Sequence, residues 1–142
     1  MKGDPQYFDV DRLADFFRSD SNVACATVFG SSADGTVALG SDLDVAVLFR
    51  EPPAAGEPIL RYYTQLCDAA PGVERVDFVN LNQANPILAF EALRGRMLCK
   101  NDPENTAEFT SLICREYEDI IGYLHYLRSR TSRKSSMWNR NT

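Results

Sequence analysis

The sequence predicts one α/β domain in which helices flank a small mixed β-sheet, an α+β arrangement with parallel and antiparallel strands together. Three observations carry that expectation. Residues 23–29 (VACATVF) and 43–49 (LDVAVLF) are short apolar runs with the β-branched and aromatic content of buried strands. The stretches around them repeat apolar residues at three-and-four spacing, as helices with one buried face do. No internal repeat or linker divides the 142 residues, which suit one core.

Taken in order, Asp9 or Asp11 is placed to cap a first helix whose apolar positions are Val10, Leu13, Phe16 and Phe17. The polar cluster Asp20-Ser21-Asn22 ends it, and the strand at 23–29 runs into Gly30. Residues 31–41, with Gly35 and Gly40, read as a loop with one helical turn before the second strand at 43–49. Three prolines in residues 50–58 mark the next loop, and Ile59, Tyr63, Leu66 and Ala70 mark a second helix closed by Pro71-Gly72. Residues 74–81 (ERVDFVNL) form a third strand, with Val76 and Phe78 on one face and Asp77 and Val79 on the other. Asn85-Pro86 starts a further helix and Gly95 stops it. Asp102-Pro103 then opens the longest helical pattern, with Phe109, Leu112, Ile113, Tyr117, Ile120, Ile121, Leu124 and Leu127 in one wide stripe. That stripe either packs on the sheet or is left in part for a partner. The expected organisation is a single domain over 1–142: a core at about 23–100, a C-terminal helix at about 103–128 and a basic tail at 129–142.

Composition narrows the function classes. Hydrophobic residues make up 44% and charged residues 25%, as in ordinary globular proteins. The formal net charge is -5, yet Arg128, Arg130, Arg133, Lys134 and Arg140 fall in the last fifteen residues with no acidic neighbour. Without those five, 10 basic residues face 20 acidic ones, leaving a body at -10. An acidic body is not a nucleic-acid-binding face, so direct binding of DNA or RNA is not expected. The plain account of the tail is a solvated, frayed terminus. Cys25, Cys67, Cys99 and Cys114 are scattered among apolar residues without a C-x-x-C pair and read as buried free thiols. With no leader-like N-terminus and no apolar stretch of about 18 residues, the expectation is a cytoplasmic protein without a membrane span.

The stretch FGSSADGTVALGSDLDVAVLF holds the candidate chemistry. Two aspartates two apart on a strand point to one face, so Asp42 and Asp44 can present carboxylates to a common centre about 7 Å along the strand. Hard divalent cations such as magnesium favour that oxygen ligation. Gly30 lets the backbone approach a phosphate closely, and Ser31 adds a hydroxyl and an N–H. Asp77 is a third strand carboxylate, and a metal or a catalytic proton would justify its burial. Each aspartate alone is more simply a strand cap or a solvent-facing residue. Their combination with the Gly-Ser turn favours a site.

Gly30-Ser31, ten residues, then Asp42-Leu43-Asp44 resembles the signature of the minimal nucleotidyltransferases of the DNA polymerase beta superfamily. Ser41 before the first aspartate, Val45-Ala46-Val47 after the second, and Asp77 on a later strand are similar to the same pattern. So is the segment from Asn85-Pro86 to Gly95-Arg96-Met97-Leu98, which extends the resemblance over about residues 23–100. The resemblance implies a polymerase-beta-like fold, nucleotide binding by Gly30, Ser31 and Ser41, and catalytic metal ligation, with Mg2+, by Asp42, Asp44 and Asp77. Family members often carry a basic residue shortly after the Gly-Ser, where this chain has Ser32 and Asp34.

What the resemblance implies for function is transfer of AMP from ATP to a hydroxyl, with Asp77 near the acceptor as general base. Without a second domain the acceptor surface comes from outside. Stand-alone proteins of this kind resemble the antitoxins of HEPN/MNT pairs, which modify a tyrosine of a HEPN ribonuclease toxin. The rival enzyme reading is a small-molecule adenylyltransferase of the aminoglycoside-modifying kind, and the rival non-enzymatic one is a degenerate domain that binds its partner stoichiometrically. His125, the sole histidine, has Asp119 six residues before it and Arg115 still further back, so it does not make a toxin-like Arg–His pair and reads as a surface residue. The apolar stripe leading into the cationic end points to a C-terminal region that docks a protein acceptor.

Overall fold

The structure, a computed structural model, describes residues 9–30 and 42–140, with side chains described as far as residue 131. Its first helix, α1 (Val10–Arg18), settles the choice of cap: Asp9 Oδ1 accepts from the amides of Asp11 at 3.0 Å and Arg12 at 3.2 Å. Asp11 lies in the first turn, where its charge complements the helix dipole. The strands are β1 (Val23–Phe29), β2 (Asp42–Phe49), β3 (Arg75–Asn80) and β4 (Arg96–Lys100), joined in the order β3-β2-β1-β4. β1 pairs antiparallel with β2 and β4, whereas β2 and β3 run parallel. A parallel pair needs a crossover, and α2 (Glu57–Asp68) supplies it.

Alternation along the strands divides the core into two layers. Leu43, Val45, Val47 and Phe49 join Val76 and α1's Leu13 and Phe17 on one face, which α2 covers through Tyr62 and Leu66. Ala46, Leu48 and Ile113 share the other with Ala89 and Ala92 of α3 (Pro86–Leu93). A register shift between Val23 and Cys25 interrupts the alternation of β1, so Ala24 and Cys25 both enter this second layer. On α2 the buried tyrosine is Tyr62, with Tyr63 only half-buried at the edge. The expected stripe was therefore one position off at its centre. Tyr62 stands among Phe16, Phe49 and Phe78.

Asn85 caps α3 as the Asn-Pro pair predicts, its Oδ1 accepting from the Leu88 amide at 2.9 Å. Gly95 has a different role from a plain helix stop. A Cβ there would run into the Val28 carbonyl oxygen and lie 2.8 Å from Phe29 Cβ, so only glycine lets the turn between α3 and β4 rest on β1. The buried Thr27 hydroxyl fastens the same contact by donating to the Ala92 carbonyl at 2.9 Å.

The last helix, α4 (Pro103–Arg140), is capped by Asp102, whose Oδ1 accepts from the Asn105 amide at 3.1 Å. Its first half packs, burying Thr106 and Ile113. Among the described residues of the second half, large apolar side chains stand out from the fold: Tyr123 is 61% exposed and Leu124 48%. The helix also passes the position near Arg128 where the apolar stripe ends, continuing through Arg140 where the sequence suggested a frayed tail. Among the described residues no helix is long and apolar enough to cross a membrane. All four cysteines are free, Cys25 and Cys99 buried and Cys67 and Cys114 half-buried. Burial pushes the Cys99 thiol up to about 11, as expected of an unreactive core cysteine.

Candidate active site

Sending Leu43, Val45 and Val47 into the α1–α2 layer forces Asp42 and Asp44 onto the opposite face, in line with Ala46 and Leu48. Exposure falls along that line, from exposed Asp42 through half-buried Asp44 to fully buried Ala46. The carboxylates therefore project where the cover of this face gives out. Register completes the arrangement: Asp44 lies opposite Phe29 on β1 and opposite Asp77 on β3, and Asp42 lies opposite Arg75.

Asp44 and Asp77 face each other across the parallel β2–β3 register, close enough for the Asp77 carboxyl to act directly on that of Asp44. The Asp44 carboxyl is pushed above the usual range, first by burial, then by the charge and hydrogen bond of Asp77 and by the charge of Asp42. Arg75 opposes the shift, and its Nε donates to Asp77 Oδ1 at 2.8 Å. Arg75 was not singled out from sequence, although an arginine and an aspartate two apart on a strand share a face.

Gly30, at the end of β1, has φ of 64°, in the left-handed region that favours glycine. A Cβ on it would lie 2.7 Å from Asp44 Oδ2, so the residue is held to glycine by space as well as by backbone. Gly30 and the predicted second aspartate thus lie against each other. Ser31 and Ser41, and with them Ser32 and Asp34, lie outside the described residues.

Of the three aspartates expected to form a metal centre, Asp44 and Asp77 are brought together and Asp42 acts on Asp44 through its charge. Among the described residues no group of three or more acidic, histidine or cysteine side chains stands in a metal-holding arrangement. The donor chemistry nonetheless fits a hard divalent cation, since Asp44 and Asp77 are oxygen donors held side by side and the charges of Asp77 and Asp42 both raise the Asp44 carboxyl. His125 is exposed on α4, as its reading as a surface residue requires.

The sequence matches the family model described as "Polymerase beta, Nucleotidyltransferase" over residues 11–104. The chain belongs to that family. No curated protein matches it. Among solved structures, it is similar to a chain of a toxin–antitoxin complex with AMP-PNP, at 19% identity and a TM-score of 0.66, over 87% of this chain and 98% of that one. It is also similar to a chain of the MntA–HepT toxin–antitoxin complex, at 19% identity and a TM-score of 0.57, over 86% of this chain and 92% of that one. A third is a chain from the complex of the tri-AMPylated Shewanella oneidensis HEPN toxin with its MNT antitoxin, at 17% identity and a TM-score of 0.60, over 86% of this chain and 96% of that one. At these identities the likeness is one of fold: a minimal nucleotidyltransferase resembling the antitoxins of HEPN/MNT pairs.

Proposed function

We propose that this protein is a cytoplasmic adenylyltransferase that moves AMP from ATP onto a protein hydroxyl, a tyrosine of a HEPN-type ribonuclease toxin, and so acts as an antitoxin. The observation that carries the reading is the contact between the left-handed Gly30 and the Asp44 carboxylate, with Asp77 alongside, in a chain of the nucleotidyltransferase family. The fold-level likeness to structures that contain AMP-PNP or an AMPylated HEPN toxin supports the choice of nucleotide and acceptor.

In this reading the acceptor oxygen attacks the α-phosphorus of ATP in line with the bond to the bridging oxygen, that bond breaks, and pyrophosphate leaves. The hydroxyl proton goes to the Asp77 carboxylate, acting as a general base. Gly30 offers backbone without a side chain where the phosphates approach, and the family resemblance assigns Ser31 and Ser41 to the same nucleotide. Asp42, Asp44 and Asp77 would hold magnesium, which would supply Lewis-acid stabilisation of charge on the phosphates.

The decisive experiment incubates the protein with ATP, magnesium and a HEPN protein encoded next to it, and follows the acceptor's intact mass and peptide map. An AMP adduct on a tyrosine is the expected result. An unmodified acceptor that still forms a stable complex would favour the stoichiometric reading, and transfer only to small hydroxylated amines would favour the aminoglycoside-type one.

A further inference from the structure

Gly30 has walls on two sides. One is the Asp44 carboxylate; the other borders an open cleft lined by Gly30, Glu91, Arg94 and Gly95. The second wall is fixed in place, because Gly95 rests on Val28 and Phe29 and Thr27 ties β1 to the last turn of α3. Arg94 is the C-cap of α3, and its guanidinium lies 5.7 Å from the centroid of the Phe90 ring. That ring is itself stacked on Tyr117 of α4, with centroids 3.8 Å apart and planes 6° apart. An arginine on an aromatic platform backed by a second helix loses little freedom when it binds an anion. Glu91 Oε1 stands 3.9 Å from Arg94 Nη1, too far for a hydrogen bond, so it does not tie the guanidinium down.

We propose that Arg94 binds the phosphate oxygens of the nucleotide's triphosphate from the side of Gly30 opposite the aspartates. The inference rests on the nucleotidyltransferase reading and deepens it. A triphosphate entering this site meets three carboxylates on one side of Gly30 and a body of strongly negative net charge. It finds no basic residue directly after the Gly-Ser turn, where Ser32 and Asp34 stand. Arg94 supplies the missing cation from a different element, and the planar fork of a guanidinium matches phosphate oxygens two at a time. A triphosphate crossing Gly30 would then have carboxylates at one flank and a guanidinium at the other.

The test measures binding of ATP, of AMP and of inorganic triphosphate, each with magnesium, to the intact protein and to three variants by calorimetry. Arg94→Gln keeps a planar group over Phe90 without the charge, Arg94→Ala removes both, and Arg94→Lys keeps the charge without the fork. Gln and Ala variants should bind ATP and triphosphate about tenfold more weakly or worse, as loss of a charge-assisted contact implies. AMP, lacking the outer phosphates, should bind as before, and Lys should recover part of the loss. Unaltered ATP and triphosphate affinity in the Gln variant would overturn the inference alone, and so would equal losses for ATP and AMP, which indicate a structural role at Phe90. A parent protein that binds neither ATP nor triphosphate would bring down the nucleotidyltransferase reading, and this inference with it.

Discussion

Replacing Asp44 with asparagine separates what this residue does for the fold from what it does for the chemistry. Asparagine keeps the shape and can donate to Asp77, while removing one of three gathered charges. Two unit charges about 4 Å apart repel by about 1 kcal/mol in water and by about 4 kcal/mol at an effective dielectric of 20. Asp44 is half-buried beside a carboxylate that Arg75 partly neutralises, so the lower end applies and Asp44→Asn should gain about 1 kcal/mol at neutral pH. For a domain of this size that is roughly 2–4 °C in Tm. The pH dependence has a definite sign. A carboxyl raised in the folded state binds its proton more tightly there than in the unfolded chain, so its stabilising contribution is complete below the unfolded value, near 4. That contribution is lost as pH rises through the folded value. The variant's advantage should therefore be present at neutral pH and vanish as pH falls toward about 4. Magnesium should raise the Tm of the parent and leave that of the variant nearly unchanged. Transfer of AMP should be abolished. Thermal melts across pH, with and without magnesium, and the adduct assay check these outcomes together. Equal melting curves at neutral pH would refute the repulsion argument, and transfer at the parent rate would refute the role of Asp44.

Three further outcomes follow from other parts of the molecule. Gly30→Val places a β-branched residue at φ of 64° and against Asp44 Oδ2, so it should lose about 1–3 kcal/mol of stability and its ATP binding; calorimetry showing parental affinity would make Gly30 a mere strand terminator. Tyr62 buries a hydroxyl with no hydrogen-bond partner among the described residues, so Tyr62→Phe should leave stability unchanged or raise it by up to about 1–3 kcal/mol; a denaturant midpoint shifted clearly downward would contradict this. Leu124→Glu with Leu127→Glu alters only exposed positions of α4 and should leave folding and ATP binding intact while slowing modification of a protein acceptor, as added salt should through Arg128 and Arg130. Modification at the parent rate in both tests would remove α4 from acceptor docking.

What the sequence made legible was local. The caps at Asp9 and Asn85 and the runs that became β1 and β2 are each set by a few neighbouring residues. Two adjacent tyrosines on α2 differ by one position of the helical wheel, and only packing against Phe16, Phe49 and Phe78 selects Tyr62 for the core. The pairing of Asp44 with Asp77 depends on the parallel register of β2 and β3, which one strand's pattern does not contain. Arg94 borders the same cleft as Gly30 because its neighbour Gly95 lets the turn after α3 rest on β1. The continuation of α4 had a readable signal that the end of the apolar stripe obscured: residues 128–142 hold no glycine or proline to stop a helix.

The position of the site follows from the core. β2 alternates, so its aspartates reach the active face only while Leu43, Val45 and Val47 occupy the α1–α2 layer. A slip of one residue against β1 and β3 would drive Asp42 and Asp44 into that layer and expose Leu43 and Val45. Two carboxylates in an apolar layer are far more costly than any gain such a slip offers, so the fold locks the register that displays them. The same logic accounts for the limit of the site along the strand: from Ala46 onward the face is covered by α3 and α4, and a carboxylate placed there would need a buried partner. The aspartates occupy the only two positions of β2 where this face is not yet closed.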